Sequence, residues 1–414
     1  MDRAEPALLI RGARVARCDD SGLALIDDGA VAVDASGSVV FVGRAADAPV
    51  AGGRTHIVYA RGALLTPGLV DPHTHLVFAG RRTSEFEQKM RGVDYRTIAA
   101  NGGGIQSTVS ATRSADEATL LAATKRRLSI ALGFGVTTME VKSGYELTLE
   151  GELRSLRIAR AASDDTLPRV VTTLLGAHTV PREHQKLRAA YVAIVKDEMI
   201  PAVAREGLAT TSDVYLDEGA FTLDEARAIL TAAKKHGLGV RAHVGQFRDV
   251  GGAELVAELG GLSCDHLEEV SDAGLLAMAQ AKTSAVLLPA AWRTLRQNPP
   301  DAARITARGV SIAIGTDANP GTSPCLDLPM CAALAVRDAD LDPRQALLAI
   351  TRNAARALGA REAGRIAVGA PADLALWDHD DPAMFAYAIG GHRPTHVWIG
   401  GRLVVDVPAL APAF

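Results

Sequence analysis

The sequence predicts an α/β protein: a (β/α)8 TIM-like barrel with a small composite β-sandwich domain built from both termini. Between residues 66 and 362, short apolar segments alternate with helical segments, as in a parallel α/β architecture. Both ends of the chain instead contain short β-branched runs separated by turn residues. We therefore expect residues 1–65 and 363–414 to form one β domain, with a barrel of residues 66–362 inserted between its halves.

The β-strands of the terminal domain are expected in similar short runs at the two ends. The candidates are residues 7–10, 29–34 and 38–43 near the start, and residues 364–369, 372–377 and 394–400 near the end. Because the two sets share the same pattern of short β-branched runs and turn residues, we expect them to join in one sheet domain.

The barrel is expected to contain eight strands. The candidates are residues 69–73, 136–142, 169–176, 212–216, 238–243, 262–266, 284–289 and 311–316. Amphipathic segments such as 114–132 and 223–236 lie between them, and Ser114 with Glu117 has the spacing of a capping box. Eight such units over about 300 residues fit a (β/α)8 barrel.

Composition and charge exclude several classes of partner. The chain has a formal net charge of −4 and only 22% charged residues, which gives no reason to expect nucleic acid or an anionic membrane as partner. Its start lacks the basic and apolar regions of a signal peptide, and no segment reaches the ~18 apolar residues of a membrane helix. We expect a cytoplasmic protein whose four cysteines are reduced.

Histidines and a carboxylate follow the expected barrel strands, at the end where such barrels carry their active sites. Five of the 11 histidines lie there with one aspartate: His73, His75, His178, His243, His266 and Asp317. One buried histidine alone is more often a core residue bonded to backbone. Their coincidence at strand ends favours a functional site.

Four of these residues are best explained as a metal site. His73, His75, His243 and Asp317 are a ligand set suited to zinc or another divalent ion, with one position left for a water that the ion would acidify. A closed structural zinc site is less compatible, because such sites favour cysteine and the cysteines lie elsewhere.

Two residues are candidates for proton transfer. His266 could orient or deprotonate the attacking water, or it could instead hold a metal ligand in place. Asp317 could bind metal with one oxygen and relay a proton with the other.

The motifs bring a family into view. Residues 66–75, the strand-end histidines and residues 315–317 resemble the amidohydrolase superfamily, whose metal-dependent members hydrolyse C–N bonds. Segments 73–82, 101–113, 141–145 and 317–324 are similar to the members that open an imidazolone ring in histidine degradation. This resemblance covers essentially the whole chain.

The resemblance implies a function and a set of residues. It implies hydrolysis of 4-imidazolone-5-propanoate to N-formimidoyl-L-glutamate, with attack expected at the ring carbon between the two nitrogens, and a homodimer. The residues that it places at the substrate are Arg82, Tyr145, His178, Gln246, Asn319, Gly321 and Thr322. Arg82 offers a guanidinium fork for the propanoate, although it could be a surface arginine like Arg81. The triple glycine 102–104 is expected to shape or cover the pocket.

Two departures affect the details. Gln246 stands where some relatives have glutamate, and an amide cannot accept a proton at neutral pH, so Asp317 or His266 must act as base. The adjacent residues Val244 and Gly245 are less polar than is usual in the family. Residues 212–217 contain no lysine to bridge two metals, and Lys142 lies after the second strand, so we expect one metal ion, zinc or iron (Fe²⁺ or Fe³⁺).

Two alternatives stay open. A deaminase of a heterocycle such as guanine or cytosine would use the same ligands, although Arg82 argues against it because those substrates carry no carboxylate. A non-catalytic scaffold is the other alternative, and it predicts gaps in the ligand set that the sequence does not show.

Overall fold

The computed structural model describes residues 5–93, 97, 103–164, 166–390 and 392–407. Five strands precede the barrel: β1 (Leu8–Ala16), β2 (Leu25–Val33), β3 (Val39–Arg44), β4 (His56–Tyr59) and β5 (Leu64–Pro67). The hairpin partners β1, β2 and β3 run antiparallel. A short 3-10 turn, Ala45–Asp47, follows β3.

The barrel contains the eight predicted strands. They are β6 (Leu69–Asp71), β7 (Val136–Lys142), β8 (Arg169–Ala177), β9 (Thr211–Leu216), β10 (Gly239–Val244), β11 (Ser263–His266), β12 (Ser284–Leu287) and β13 (Ile312–Ile314). Each strand pairs in parallel with the next in the chain. Just beyond β6 and β13, a parallel bridge between Thr74 and Ala318 joins the two ends of this sheet. The predicted fold class is confirmed.

Three strands near the C-terminus complete the first sheet: β14 (Leu374–Leu376), β15 (His396–Ile399) and β16 (Arg402–Asp406). The strand order is β16-β15-β14-β5-β1-β2-β3, with β4 also paired to β1. β1 serves two partners because it pairs with β4 through residues 8–11 and with β5 through residues 14–15. Its register shifts at Gly12, whose positive φ of 67° suits a bulge. Both termini therefore build one continuous sheet.

Helices surround the barrel strands. Their bounds are α1 (Thr83–Met90), α2 (Ile105–Ser114), α3 (Glu117–Leu132), α4 (Leu149–Ala162), α5 (Arg188–Ala193), α6 (Ile200–Glu206), α7 (Leu223–Lys235), α8 (Gly252–Glu258), α9 (Asp272–Ala281), α10 (Pro289–Leu295), α11 (Ala302–Ala307), α12 (Leu328–Asp338), α13 (Pro343–Ala349), α14 (Arg352–Leu358) and α15 (Met384–Tyr387). A 3-10 turn, Arg182–His184, precedes α5, and a π-helical turn, Ile194–Met199, joins α5 to α6.

The predicted capping box at Ser114 and Glu117 is wrong. Ser114 is the last residue of α2, and α3 is capped by Asp116, whose carboxylate accepts from the Thr119 N–H. An aspartate cap is as favourable as serine, so the spacing alone could not choose between them.

The main apolar core lies between the barrel strands and their helices, and a smaller one lies within the terminal sheet. The barrel interior itself is unusually polar. Buried charged side chains replace the branched aliphatic layers common in this fold, and β7 and β10 contribute them in alternate positions. This charged layer lies directly behind the strand-end histidines.

No helix among the described residues is long and apolar enough to cross a membrane. The domain bounds 1–65, 66–362 and 363–414 stay a prediction. The terminal residues 1–4 and 408–414, and Asn101 and Gly102 of the predicted glycine loop, lie outside the described residues.

Candidate active site

Backbone pairing brings the ends of the first and last barrel strands together. The Asp317 N–H donates to the His73 carbonyl at 2.9 Å, and the His75 N–H donates to the Ala318 carbonyl at 3.0 Å. This short ladder fixes the side chain of Asp317 beside both histidines. Asp317 adopts a positive φ of 52°, an uncommon conformation for a non-glycine residue and one that clusters at functional sites.

Three ligand atoms form a tight triangle. The Nε2 atoms of His73 and His75 are 3.3 Å apart, and they lie 3.5 and 3.4 Å from Asp317 Oδ1. Nitrogen and oxygen ligands at about 2.0–2.1 Å from a tetrahedral ion are roughly 3.3–3.4 Å apart. The triangle therefore has the size of one face of a metal site.

His243 approaches from the other side of the barrel, where it forms a second group of possible ligands with His73 and His266. Its ring centroid lies 4.5 Å from that of His73 and 5.5 Å from that of His75. Its Nδ1 is 2.9 Å from Asp213 Oδ1, whereas its buried Nε2 has no hydrogen-bond partner in the described part of the chain. A buried nitrogen without a partner is costly unless something else binds it, so it fits a metal ligand.

Carboxylates set the tautomers of two of these rings. His73 Nδ1 is 2.6 Å from Asp265 Oδ2, as His243 Nδ1 is near Asp213. Because a carboxylate can only accept, each neutral ring carries its proton on Nδ1 and leaves the Nε2 lone pair for the site. Burial, then the Lys142 charge, holds the pKa of His73 well below its usual value, which keeps this ring neutral.

Two buried cations lie behind the carboxylates. The Lys142 ammonium is 2.6 Å from Asp213 and 2.9 Å from Glu140. The Arg241 guanidinium lies 3.0 Å from Asp265 and also contacts Glu140. Burial and the Arg241 charge oppose the charged form of Lys142, but the three carboxylates outweigh them and raise its pKa.

His266 ends β11 beside the triangle. Its ring centroid is 5.9 Å from His73 and 5.4 Å from His243, and its φ of 84° is positive. Glu268 Oε1 lies 3.7 Å from His266 Nδ1, which is too long for a hydrogen bond but close enough for an ion pair. Burial lowers the pKa of His266, but the charge of Glu268 outweighs it and the pKa is raised.

Aromatic rings form one wall of the site. The His178 ring stacks on His75 with centroids 5.1 Å apart and an interplanar angle of 17°, and Tyr145 lies 5.3 Å from His178. His178 Nδ1 is 3.0 Å from the Gly144 carbonyl, which fixes the orientation of its ring. Tyr145 and His178 thus both lie beside His75, one of the predicted metal ligands, and their contact with a substrate stays a prediction.

Arg82 faces the loop that follows Asp317. A Cβ added at Gly321 would meet Arg82 Nη1 at 2.0 Å, so only glycine lets the guanidinium approach this backbone. Glu85 holds the other edge of the guanidinium, with 2.8 Å to Nε and 2.7 Å to Nη2. The same carboxylate accepts from the Gly104 N–H at 3.1 Å, which ties the glycine loop to Arg82.

The other predicted substrate residues are engaged with neighbours. The side-chain oxygen Oδ1 of Asn319 accepts from the backbone N–H groups of Gly321 and Thr322, both at 2.8 Å. This side chain therefore shapes its own loop. The Thr322 hydroxyl lies 3.4 Å from Asp317 Oδ2. Gln246 Oε1 accepts from the Tyr215 hydroxyl at 2.9 Å.

Reasoning from strand ends missed the residues one layer deeper. These are Glu140, Lys142, Asp213, Arg241 and Asp265, none of which was predicted to support a ligand, and Glu268, which lies beside His266, was missed as well. The sequence contains a signal for some of these residues. A charged residue two positions before a predicted ligand, such as Arg241 before His243, lies on the same side of the strand as that ligand.

Comparison with known proteins agrees with this geometry. The model of the amidohydrolase family matches residues 64–404. An imidazolonepropionase of Ectopseudomonas mendocina (strain ymp) is 51% identical over 334 residues, covering 80% of this chain and 82% of the relative. One from Xanthomonas campestris pv. campestris (strain 8004) is 46% identical over 386 residues, covering 92% and 95%.

Solved structures share the fold at low identity. An adenosine deaminase from Xanthomonas campestris superposes with a TM-score of 0.75 at 22% identity, covering 100% of this chain and 96% of that one. A 5-methylcytosine deaminase from Klebsiella pneumoniae superposes with a TM-score of 0.77 at 16% identity, covering 98% and 99%. Identities this low show the fold alone. The family match and the two close relatives make this chain a member of the amidohydrolase family and, within it, of the imidazolonepropionases.

Proposed function

We propose that this enzyme uses water to open the ring of 4-imidazolone-5-propanoate, giving N-formimidoyl-L-glutamate, a step of histidine degradation. The observation that carries the proposal is the triangle of His73 Nε2, His75 Nε2 and Asp317 Oδ1, 3.3–3.5 Å on a side, in a chain related to imidazolonepropionases. The triangle supports metal-dependent hydrolysis, and the relatives support the substrate.

His73, His75, His243 and Asp317 would hold one metal ion. When bound, the ion supplies Lewis acidity, which lowers the pKa of a water and polarises a carbonyl group. A second ion bridged by Lys142 is disfavoured because its ammonium is fully buried against Asp213 and Glu140. Zinc and iron both suit a set of three imidazoles and one carboxylate, so elemental analysis must choose between them.

Arg82 would bind the propanoate. A guanidinium held along one edge by Glu85 has its orientation fixed before substrate arrives, which reduces the entropy cost of binding. Gly321 permits the close approach of this side chain, and Tyr145 and His178 would pack against the ring. Asn319 and Thr322 would act by holding the loop around Gly321.

The product defines which bond breaks. N-formimidoyl-L-glutamate has a new carboxylate next to its α-carbon, so the water oxygen must join the ring carbonyl carbon and the C–N bond at that carbon must break. The expected attack between the two nitrogens is wrong on this ground, because it would give an N-formyl amide. The departing ring nitrogen takes a proton and becomes the imino nitrogen of the formimidoyl group.

Asp317 and His266 would divide the proton transfers. Asp317 has Oδ2 turned from the triangle toward Thr322, so this oxygen can take a proton from water and pass it to the departing nitrogen. His266, whose pKa the nearby Glu268 raises, would donate to the carbonyl oxygen as negative charge develops there. Gln246 would only donate or accept hydrogen bonds.

Three finer points belong to the same proposal. We infer a homodimer from the family resemblance. A cytoplasmic location is supported by cysteines that are all free thiols: Cys18, Cys264, Cys325 and Cys331. The small negative net charge supports a small molecule, and neither nucleic acid nor membrane, as partner.

The decisive assay offers the metal-loaded protein two kinds of substrate. We expect loss of 4-imidazolone-5-propanoate and appearance of a product heavier by one water, identified as N-formimidoyl-L-glutamate by NMR. Guanine, cytosine and adenosine should release no ammonia under the same conditions. Ammonia release from one of these three compounds, with the imidazolone left intact, would show that the protein is a deaminase instead.

A further inference from the structure

The two carboxylates behind the metal ligands share one cation. Asp213 holds His243 and Asp265 holds His73, each at the Nδ1 atom. Lys142 Nζ lies 2.6 Å from Asp213 Oδ2 and 3.6 Å from Asp265 Oδ2. One ammonium thus contacts the groups that orient two different ligands.

Lys142 reaches both carboxylates because of its place in the barrel. It ends β7, which is two strands from β9 and four strands from β11 in the sheet order, so its side chain crosses the barrel interior. All three side chains are completely buried. Water cannot screen this charge, so its effect on both carboxylates is strong.

Arg241 does not duplicate this arrangement. Its direct ion pairs are with Asp265 and Glu140, and it donates to the Pro72 carbonyl at 2.8 Å. It therefore supports the His73 side of the site, whereas Lys142 touches both sides.

We infer that Lys142 is a positioning residue that couples His73 and His243, because its ammonium contacts both Asp213 and Asp265 and so fixes the two carboxylates that orient the rings with Nε2 toward one metal ion. Its ammonium pairs with Glu140, Asp213 and Asp265, which are not ligands of the proposed site. It acts through the two aspartates, and it makes the orientation of one histidine depend on that of the other. This inference rests on the proposed metal site but not on the identity of the substrate.

The test replaces Lys142 with methionine, which keeps much of the side-chain volume and removes the charge. Zinc affinity is measured on the folded protein by competition with a chelator, and we expect it to fall roughly 10- to 100-fold, as for other groups that support metal ligands. Asp213→Asn and Asp265→Asn provide matched variants that keep the shape of each supporting side chain and remove its charge.

A second measurement reports on the rings themselves. In the cobalt-substituted protein, the Nδ1 protons of His73 and His243 should give strongly shifted, solvent-exchangeable proton NMR signals. Lys142→Met should move both signals, and Arg241→Met should chiefly move one. Each aspartate variant should move both signals in the native background, because Lys142 then loses its contact on one side and shifts toward Glu140 and the remaining aspartate.

The outcomes separate a coupling role from a merely structural one. Removing one member of a buried ion pair is destabilising in any case, so thermal stability does not decide. A folded Lys142→Met protein with native zinc affinity and unmoved signals would overturn the inference. If that variant does not fold, the aspartate variants decide, since movement of only one signal in each would exclude coupling. A native protein that binds no metal would instead refute the proposed function.

Discussion

Arg81 and Arg82 are neighbours with different surroundings. Arg81 is exposed, whereas Arg82 is partly buried between Glu85 and the loop at Gly321. The sequence could not separate them, because both follow the same motif. Within the described residues, the contacts with Glu85 fix the orientation of Arg82, and Arg81 shows no such contact.

Replacing Arg82 with glutamine should weaken substrate binding more than turnover. A hydrogen bond to a charged group contributes about 1.5–3 kcal/mol, so we expect KM to rise roughly 10- to 100-fold, with kcat changed by no more than about threefold. Steady-state kinetics with the imidazolone substrate measure both. Arg81→Gln is the control and should leave both constants unchanged. An equal rise in KM in the two variants would show that Arg82 does not bind the substrate.

His266 has two possible roles that one variant can separate. It lies in one potential metal-binding group with His73 and His243, while His73, His75 and Asp317 form another. If His266 transfers a proton, His266→Gln should lower kcat by about 10²- to 10⁴-fold, with KM nearly unchanged and metal content intact. Loss of metal from the purified variant would show that His266 is a ligand instead.

Loops, rather than strands, assemble the substrate side of the site. The segment after β6 carries Arg82 and the segment after β13 carries Gly321, and the Thr74–Ala318 bridge holds the two segments together. The sequence predicts both segments from motifs. It does not show that the absence of a side chain at Gly321 is what admits Arg82.

Gly321→Ala should therefore weaken substrate binding as an Arg82 variant does, but to a smaller extent. The added Cβ would lie 2.0 Å from Arg82 Nη1, so the guanidinium must move away from its position. We expect a severalfold rise in KM with little change in melting temperature, because the far end of a flexible side chain can shift without disturbing the core. Gly53→Ala, where no described atom lies within 4 Å of the new Cβ, is the control. An unchanged KM would contradict the predicted contact.

The segment after β14 carries a histidine that should make stability depend on pH. Burial, then the nearby His392, lowers the pKa of His379 to about 4, and neither ring nitrogen has a hydrogen-bond partner among the described residues. The unfolded chain protonates this histidine below about pH 6.5, whereas the folded protein does not until about pH 4. The free energy of unfolding should fall as pH drops through that window.

Urea unfolding of a variant isolates this contribution from that of other histidines. His379→Phe keeps a ring among Trp377 and Phe385 and removes the titration. We expect its free energy of unfolding to fall less between pH 6.5 and 4.5 than that of the native protein. The exposed His236→Gln variant should follow the native curve, and identical pH dependence in all three proteins would exclude His379 as a source.

At the scale of the whole molecule, the periodicity of the sequence was enough for the architecture. The eight barrel strands were predicted within a few residues because buried parallel strands read as short apolar runs. The partners of those strands across the barrel were not predictable. Asp265 becomes relevant only when strands far apart in sequence face each other, as His73 and Asp265 do across 192 residues, whereas Asp213 reaches His243 from the neighbouring strand β9.

The barrel has a seam where its first and last strands meet. In the described part of the chain, β6 and β13 are the two ends of the sheet, and the Thr74–Ala318 bridge joins them only beyond the strands. His73 and His75 lie on one side of this seam, Asp317 lies on the other, and His243 comes from β10. A metal ion held by all four would tie the seam shut, so metal binding and folding should be linked.

Chelation should consequently lower the melting temperature as well as abolish activity. A ligand present at about 100 times its Kd stabilises the folded state by about 2.7 kcal/mol, which for a protein of this length is about 3 °C. Calorimetry of the protein with zinc and with chelator measures the shift, and readdition of zinc should restore it. His75→Asn lacks one ligand and should show no such shift. If this variant shifted as much as the native protein, zinc would be binding elsewhere and the seam would close without it.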